Sequence, residues 1–485
     1  MNSRLVSTLG IAFFAMASRA FAIGGVDAPP APSEPHEVIF SQPKETRLEN
    51  GVRVIVVERP GLPLLAAELL VRNGAETDPK DRAGCASMTG SLLTRGTETK
   101  SAPQIASAME SLGGAIDSGA RWDAASAGIV VMSDKAEAAL AILADVILHP
   151  AFKQEEIDRL KNQTLDGLRV VLEQPGPIGR YVTERVIFGE GEYGHAAGGT
   201  PETVQAINRE DIVKLYQAYF TPDNATLILS GNLTLEDGKR YAQQFFGSWK
   251  TNQSASKEPL RVTATDWKPA NVVIDLPQAG QASVTVAKPS IKRDSPDYYA
   301  GLVANAALGQ GFVSRLNREI RIKRGLSYGV RSAMDSRRSG GSFFASAQTK
   351  NESAPEVARL LQIELKRLNT EPVEGKELKS RQAMLTGAYA RNLETNRGFV
   401  SQVASLVTYD RPMDTLNKFM PTINAITTND VTAFAAKYFD TPPSLIVVGK
   451  APAFMEALKK DFQDIKVIPQ HDLDLNRADL TKVKP

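Results

Sequence analysis

The chain carries one pattern twice, first as Ile207-Asn-Arg-Glu-Asp-Ile-Val-Lys-Leu-Tyr-Gln-Ala-Tyr-Phe220 and again as Ile426-Thr-Thr-Asn-Asp-Val-Thr-Ala-Phe-Ala-Ala-Lys-Tyr-Phe439. Apolar residues recur at helical spacing in both copies, and a short β-branched stretch that closes with glycine follows each one, at 225–231 and 445–449. A helix and then a strand, repeated once, indicate that the fold is a duplicated domain.

Polar residues mark where both repeated helices begin. Asn208 and Thr427 lie near the predicted starts, and Asp211 and Asp430 lie one turn further on. Side-chain oxygens and negative charge at these positions suit the free amide groups of a helix start.

Each half also predicts strands that precede long helices. Alternating patterns predict strands at Val52–Glu58 and Leu64–Val71 in the first half and at Asn271–Asp275 and Ala282–Ala287 in the second. The predicted fold class is α+β, with two homologous domains, each a mostly antiparallel sheet with helices packed on one face. The predicted boundaries are a first domain at 40–250, a polar linker at 251–268, a second domain at 269–467 and a loose polar tail at 468–485.

The first 22 residues have the features of a secretory signal peptide. Arg4 precedes an apolar block from Leu9 to Ala17, and Ala20-Phe21-Ala22 fits a small-x-small cleavage site. A mitochondrial transit peptide is the alternative, because the segment contains serines and arginines and no acids. The uninterrupted apolar block favours export, and we expect a periplasmic mature chain that begins at about Ile23.

The composition is that of a soluble globular protein. Of 485 residues, 42% are hydrophobic and 23% are charged, which excludes the disordered and fibrous classes. Loss of the first 22 residues removes Arg4 and Arg19 and leaves 55 basic against 55 acidic residues. This balance argues against nucleic acid or an anionic membrane as a partner, and no other stretch predicts a membrane helix.

A helical pattern in the first half lies between glycines, Gly84-Cys-Ala-Ser-Met-Thr-Gly-Ser-Leu-Leu-Thr-Arg-Gly-Thr97. Cys85 is the only cysteine, and we expect it to be a buried small residue because no His or basic cluster adjoins it. The stretch resembles the G-L-A-H-x-x-E-H-x-x-x-x-G-T helix of the pitrilysin and mitochondrial-processing-peptidase family of inverted zinc metallopeptidases. In that family the two histidines of the motif bind zinc, and the Glu between them acts as the base for the metal-bound water. The resemblance implies that the two domains form one half of a clamshell.

The zinc-binding residues of that family are replaced in this chain. Ser87, Gly90 and Ser91 stand at the H, E and H positions, and the family spacing puts the third ligand, a Glu, at Gly167. The family's substrate-pairing N-A-x-T stretch is replaced by Asp117-Ser-Gly-Ala120. Hydroxyls and glycines have weak or no affinity for zinc. The resemblance therefore implies that this chain binds no metal or cofactor and that a partner subunit holds the zinc.

The distribution of histidines agrees with the loss of a metal site. No two of His36, His149, His195 and His471 lie within a helical turn or two of each other. Two neighbouring zinc ligands usually come from one element, so a site assembled from distant histidines is the less favoured alternative. His149, which precedes Pro150, fits a polar cap at a helix end better than a ligand.

The second half retains a motif of the same family, Ala306-Ala-Leu-Gly-Gln-Gly-Phe-Val-Ser-Arg-Leu-Asn-Arg-Glu-Ile-Arg-Ile-Lys-Arg-Gly-Leu-Ser-Tyr-Gly-Val330. It resembles the second-domain signature L-G-x-G-x-x-S-R-L-x-x-x-L-R-E-K-R-G-L-A-Y-x-V over nearly its whole length. Gly309 and Gly311 predict a tight supporting loop and not a phosphate cradle, because no nucleotide motif follows them. We expect Gly325 to end the helix and Leu326 to begin a strand. An apolar stripe is expected at Val313, Leu316 and Ile320.

Arg321 and Tyr328 stand where the family has an Arg and a Tyr that reach the substrate carbonyls over the zinc when the clamshell closes. A guanidinium and a phenol donate hydrogen bonds where negative oxygen develops during peptide hydrolysis. Each residue could instead be structural, a cation at a helix end and a strand residue with a hydrated hydroxyl. The match over the whole motif favours the catalytic interpretation.

The leading hypothesis is a non-metal subunit of a periplasmic heterodimeric zinc peptidase that hydrolyses short or unfolded peptides. A zinc-carrying paralogue would supply the metal and the base, and this chain, inactive alone, would supply Arg321 and Tyr328. The alternative hypothesis is a catalytically inactive peptide-binding or scaffold subunit. A stand-alone enzyme with different chemistry has little support, since the sequence has no nucleophile elbow, no paired catalytic Cys and His and no nucleotide motif.

Overall fold

Two sheets and the helices around them account for most of the chain, for which the computed structural model describes residues 39–79, 81–250 and 267–483. The first half contains the strands β1 Lys44–Arg47, β2 Arg53–Glu58, β3 Leu64–Val71, β4 Ala115–Ala120, β5 Ala125–Met132 and β6 Ala225–Gly231. Its helices are α1 Cys85–Leu92, α2 Ala102–Ser111, α3 Ala136–Leu148, α4 Gln154–Val171, α5 Pro175–Phe188, α6 Pro201–Ala206, α7 Arg209–Tyr219 and α8 Leu235–Phe246.

The second half repeats this sequence of elements. Its strands are β7 Asn271–Asp275, β8 Ala282–Ser290, β9 Val330–Ser336, β10 Gly341–Thr349, β11 Ser444–Gly449 and β12 Ile465–Pro469. Its helices are α9 Tyr298–Gly309, α10 Ala354–Thr370, α11 Gly375–Asn392, α12 Asn396–Thr408, α13 Thr415–Ala425, α14 Thr428–Phe439 and α15 Met455–Asp461, with a π-helical segment at Asn317–Ile322.

The two sheets have corresponding strand orders. The first runs β1-β2-β6-β3-β5-β4 and the second runs β12-β7-β11-β8-β10-β9. In both, the strand after the repeated helix lies in the middle, parallel to β2 or β7 and antiparallel to the strand that follows it in the chain, β3 or β8. Most of the other pairs are antiparallel. The predicted duplication into two α+β domains is confirmed.

The predicted starts of the repeated helices are also confirmed. The Asn208 side chain accepts a hydrogen bond from the backbone N–H of Asp211 at 3.1 Å, and the Asp211 carboxylate accepts one from the N–H of Asn208 at 2.9 Å. Thr427 and Asp430 exchange the same pair of hydrogen bonds. Both helices are therefore fixed at their first turn by a reciprocal cap.

Each half packs its own helices on one face of its sheet, as predicted, and the other face is covered by a helix of the other half. Ile55 and Val57 of β2 pack against a cluster from α12 that includes Phe399, Val400 and Val403. On the second sheet, β7 and β11 pack against Ile178, Val182 and Ile187 of α5. Since both faces are covered, the middle strands β6 and β11 are buried at every residue, which explains their continuous apolar sequences.

The hairpin tips of the two sheets meet at the centre of the molecule. Arg337, at the β9–β10 tip, is almost fully buried and its guanidinium lies 4.5 Å from the ring of Trp122 at the β4–β5 tip. Ion pairs to Glu184 (2.9 Å) and Asp335 (2.6 Å) compensate its charge. Burial of a paired guanidinium against aromatic rings gives this contact both packing and electrostatic complementarity.

A second arginine at the same tip joins the halves through the backbone. The Arg338 guanidinium donates hydrogen bonds to the carbonyl oxygens of Asp123 (2.8 Å) and Arg72 (2.9 Å). Nη1 of Arg338 also lies 3.7 Å from Oε1 of Glu76, whose side chain is fully buried. Burial raises the pKa of Glu76 well above its usual range, and nearby Asp123 adds to this effect while Arg338 opposes it.

The expectation of a loose tail at 468–485 was wrong. Ile468 pairs within β12, and Leu475 and Leu480 are buried in the cluster that includes α5. The carbonyl oxygen of Leu475 accepts hydrogen bonds from Nε (3.1 Å) and Nη2 (2.8 Å) of the buried Arg185. The tail was predicted to be loose because most of its residues are polar. Leu475 and Leu480 are nevertheless buried, and the buried Arg185 guanidinium needs the Leu475 carbonyl oxygen as its hydrogen-bond acceptor.

Two predicted segments lie outside the described residues. They are the signal peptide at 1–22 and, except for its last two residues, the linker at 251–268. No helix in the described ranges has both the length and the apolar character needed to cross a membrane.

Ending the chain after Pro469 should lower the free energy of unfolding by about 3–5 kcal/mol, because the truncation exposes apolar surface and leaves the Arg185 guanidinium without acceptors. Urea denaturation of both forms measures the difference. A chain that ends at Thr481 keeps these contacts and serves as the control. Equal stability of the wild type and the shorter chain would contradict the assignment.

The raised pKa of Glu76 predicts a pH dependence of stability. A carboxyl group whose pKa is higher in the folded state contributes stability at low pH, and this contribution is lost as the pH rises through the folded value. As the pH rises above the usual range of a carboxyl group, the melting temperature of Glu76→Gln should therefore fall less than that of the wild type. The exposed Glu155→Gln is the control, and equal slopes for all three proteins would refute the prediction.

Candidate functional site

Helix α1 begins directly after Gly84. Gly84 precedes it in the left-handed region at φ 96°, and the Asp78 carboxylate accepts hydrogen bonds from the N–H groups of Gly84 and Ala86, both at 2.7 Å. Cys85 is buried as predicted, and burial raises the pKa of its thiol to about 12. An inert thiol and a carboxylate at the helix start are structural features of this element.

The four degenerate zinc positions lie on α1 and on the neighbouring α4. Ser87, Gly90 and Ser91 are three and four residues apart, so they share one side of α1, and Gly167 is exposed on α4, which contacts α1. Gly90 lies so close to β4 that a Cβ atom placed on it would be 2.5 Å from the backbone carbon of Gly119. These residues do not fit a zinc ion, because hydroxyls and glycines offer no strong ligand and the backbone of β4 fills the space that the Glu of the family motif would need.

The described histidines are not gathered into a metal site either. His149 is the C-terminal cap of α3, as predicted, His195 lies 3.6 Å from Asp78, and His471 is exposed. Within residues 39–79, 81–250 and 267–483, no group of three or more His, Cys, Asp or Glu side chains is arranged to hold a metal ion. His36 lies outside these ranges.

The two glycines at the degenerate positions should respond oppositely to substitution by alanine. Gly90→Ala should destabilise the fold by about 1–3 kcal/mol, because its Cβ forces β4 to move. Gly167→Ala should stabilise it by about 0.5–1 kcal/mol, because its Cβ has no neighbour within 4 Å and alanine is the better helix former. Urea denaturation compares them. Equal effects of the two substitutions would show that α1 is not in close contact with β4.

The loop that carries Arg321 and Tyr328 is tied to the start of β9. Gly311 is in the left-handed region at φ 81°, and any side chain at Gly309 would collide with Ser332 of β9, so both glycines serve the predicted tight loop. The side-chain amide of Asn317 donates a hydrogen bond to the carbonyl oxygen of Val330 at 2.7 Å and accepts one from its N–H at 3.2 Å. This pair of hydrogen bonds holds the π-helical segment against the strand.

Two details of this region differ from the sequence predictions. Leu316 and Ile320 of the predicted stripe are buried, but Val313 is half exposed. Gly325 does follow the helical segment at φ 63°, while β9 begins at Val330 and not at Leu326. The residues between Gly325 and Val330 form an irregular loop, which places the Tyr328 side chain outside the sheet.

Arg321 and Tyr328 lie together on the surface with their hydrogen-bonding groups free. The Arg321 guanidinium lies 4.5 Å from the centre of the Phe312 ring and 4.9 Å from the centre of the Tyr328 ring. Tyr328 is 91% exposed and Phe312 is 58% exposed. Neither Arg321 nor Tyr328 makes a side-chain hydrogen bond or ion pair with any residue in the described part of the chain. Two rings therefore position a guanidinium whose donors remain available to a ligand.

A cleft of about 910 Å³ opens beside this pair. It is bounded by α5, by the faces of β8, β9 and β10 that α5 leaves uncovered, and by the loop that carries Arg321 and Tyr328. Charged residues from three separate elements line it, Arg180 of α5, Arg331 of β9 and Arg337 of the hairpin tip. These arginines and Phe312 were not predicted from the sequence, because only the position of α5 on the second sheet brings them to one cleft.

Comparison with known proteins finds two family models that match consecutive parts of the chain. Residues 53–186 match the family model described as insulinase (peptidase family M16), and residues 206–385 match the model described as the peptidase M16 inactive domain. The two models together cover more than half of the chain. The chain belongs to peptidase family M16. The resemblance to inverted zinc metallopeptidases predicted from the sequence is thus confirmed.

Solved structures match this fold over most of the chain. The structure described as a peptidase M16 inactive domain from Pseudomonas fluorescens is 28% identical, with a TM-score of 0.77 over 84% of this chain and 98% of that one. A protease from Helicobacter pylori is 17% identical, with a TM-score of 0.79 over 84% of this chain and all of that one. An uncharacterized zinc protease of Bacillus subtilis is 22% identical over 84% of this chain and 98% of its own length. This chain therefore spans nearly the whole length of these relatives.

Proposed function

We propose that this M16 chain is the non-metal subunit of a periplasmic heterodimeric zinc peptidase and completes the active site of a zinc-carrying paralogue. The observation that carries the proposal is the Arg321 guanidinium, which two exposed rings hold at the mouth of a cleft with no anionic partner among the described residues. A surface arginine without an ion pair is common. An arginine that contacts two rings and lies beside a free phenol, on a motif of a peptidase family, is suited to binding a substrate.

The chemistry divides between the two chains. The partner would carry the metal and the base that activate water for attack on the peptide carbonyl. Arg321 and Tyr328 would donate hydrogen bonds to the carbonyl oxygen as it gains negative charge. Cation–π contacts hold Arg321 in place without consuming its N–H donors, so little reorganisation is needed when substrate binds.

The surface around Arg321 supports a partner at this position. The rings of Phe312 and Tyr328 contact Arg321, and Val313 and Ile322 of the same motif are also exposed apolar residues. Aromatic residues and arginine are the residues most enriched at the energetic centres of protein interfaces. The replaced positions on α1 point the same way, because a chain with Ser87, Gly90 and Ser91 at its former zinc site needs another subunit to supply a metal.

A catalytically inactive peptide-binding or scaffold subunit is the second candidate. The packing of β4 against Gly90 favours it, because the substrate-pairing strand of the family is here joined tightly to the former zinc helix. The free donors of Arg321 and Tyr328 would then have no catalytic use. The two candidates differ in what happens to a reconstituted pair when these donors are removed.

Arg321→Ala should lower the kcat of the pair reconstituted with its zinc-carrying paralogue by about 10²–10³, as expected for loss of one donor to a developing oxyanion. Tyr328→Phe should lower kcat in the same direction. Hydrolysis of a quenched fluorescent peptide measures both effects. Arg318→Ala, on the same π-helical segment but outside the cleft, is the matched control.

Size-exclusion chromatography of each variant with the partner separates catalysis from assembly. We expect the pair that contains Tyr328→Phe to elute at the same volume as the wild-type pair but to hydrolyse the peptide more slowly. Full activity of both Arg321→Ala and Tyr328→Phe would contradict the proposal and favour the scaffold.

A further inference from the structure

The cleft beside Arg321 carries an excess of positive charge. Its charged lining residues are the four arginines Arg180, Arg321, Arg331 and Arg337 and the two acids Glu184 and Asp335. No lysine or histidine among the described residues lines it. The whole chain is nearly balanced, with 57 basic and 55 acidic residues, so the excess is a local feature of this surface.

The two acids of the cleft do not neutralise the exposed arginines. Both form ion pairs with the buried Arg337, Glu184 at 2.9 Å and Asp335 at 2.6 Å. Arg180 is close enough to Glu184 to help lower the pKa of that carboxyl, although burial is the larger effect and raises it. Arg180, Arg321 and Arg331 themselves form no ion pair with any described residue. The charged lining residues therefore carry a net formal charge of +2, and Arg180, Arg321 and Arg331 face the cleft outside the ion pairs of Arg337.

Arg180 and Arg331 reach the cleft from different elements. Arg180 is on the exposed side of α5, and Arg331 is on β9, where it shares with Asp335 the face of the strand that is turned towards α5. Between them the floor carries polar side chains of β8 and β10 and the ring of Phe344. A site of this kind offers hydrogen bonds and apolar contact to a ligand, with fixed positive charge at its sides.

We propose that this cleft selects peptide segments with acidic side chains, and that Arg180 and Arg331 are the residues that determine this specificity. The proposal deepens the proposed function, on which it rests for the statement that the ligand is a peptide. Arginine binds carboxylates in a bidentate geometry, and the volume of about 910 Å³ is at the upper end of ordinary ligand sites, enough for a short segment. Arg321 at the mouth would remain free for the backbone carbonyl.

The test measures binding by the purified chain alone, so it does not depend on a partner or on catalysis. The probes are two dye-labelled, end-blocked octapeptides of alternating residues, Glu-Val and Lys-Val, and fluorescence anisotropy gives their Kd. The Glu-Val peptide should bind at least about tenfold more tightly, and a rise in salt from about 0.05 M to 0.5 M should reduce the difference.

Arg180→Glu/Arg331→Glu should weaken binding of the Glu-Val peptide by about tenfold or more and favour the Lys-Val peptide. Both side chains are exposed, so the fold should tolerate the change, and circular dichroism checks this. Arg391→Glu, an exposed arginine of α11 outside the cleft, should have no effect. An equal loss with Arg391→Glu, a preference for the Lys-Val peptide, or no binding of either peptide would overturn the proposal.

Two further outcomes separate this proposal from others. Displacement of the peptide by millimolar inorganic phosphate would show a general anion site and would overturn the peptide assignment. The second outcome is a reconstituted pair that does not hydrolyse peptides, although the chain alone prefers the Glu-Val peptide and the double variant loses this preference. That result would refute the proposed catalytic function and leave the proposed specificity of the cleft intact.

Discussion

The exchange of helices between the two halves is the constraint on which the rest of the structure depends. Each sheet is apolar on both faces, and its own helices cover only one of them. Helix α12 covers the second face of the first sheet and α5 covers the second face of the second sheet. Neither half can bury its core alone, because unburied strands of this composition would expose large apolar areas to water. The two domains are therefore one folding unit in energetic terms, joined at the centre by the buried Arg337 and its aromatic and acidic neighbours.

The same exchange creates the functional surface. Helix α5 is narrower than the sheet it covers, so β9, β10 and the loop before β9 are left open as a cleft. The retained motif lies at the mouth of that cleft, while the replaced motif on α1 is packed against the backbone of β4. Of the positions that match the family's zinc motif, Gly90 is packed against the backbone of β4, whereas the retained motif keeps free hydrogen-bond donors. This asymmetry is what a divided active site requires of its non-metal half.

Much of this was predictable from local sequence patterns. The repeated helix and strand predicted the duplication, Asn208 and Thr427 predicted the caps, and the glycines at 84, 309, 311 and 325 predicted where elements turn, because each of these features acts within a few residues. Features that depend on tertiary packing were missed. The helical pattern of α5 does not indicate which sheet the helix covers. The sequence therefore could not predict that Arg180 and Arg331 line the same cleft. The tail was taken as loose because Leu475 and Leu480 are separated by polar residues and the need of Arg185 for an acceptor is visible only in the fold.

In the proposed function, this chain contributes hydrogen-bond donors and no metal to a shared peptidase site. The most direct measurement is the zinc content and peptide hydrolysis of the purified chain alone, with and without a chelator. Our account predicts no stoichiometric zinc and no chelator-sensitive hydrolysis, because four residues that would bind the metal and activate water are replaced. One zinc ion per chain, together with hydrolysis that a chelator abolishes, would contradict it.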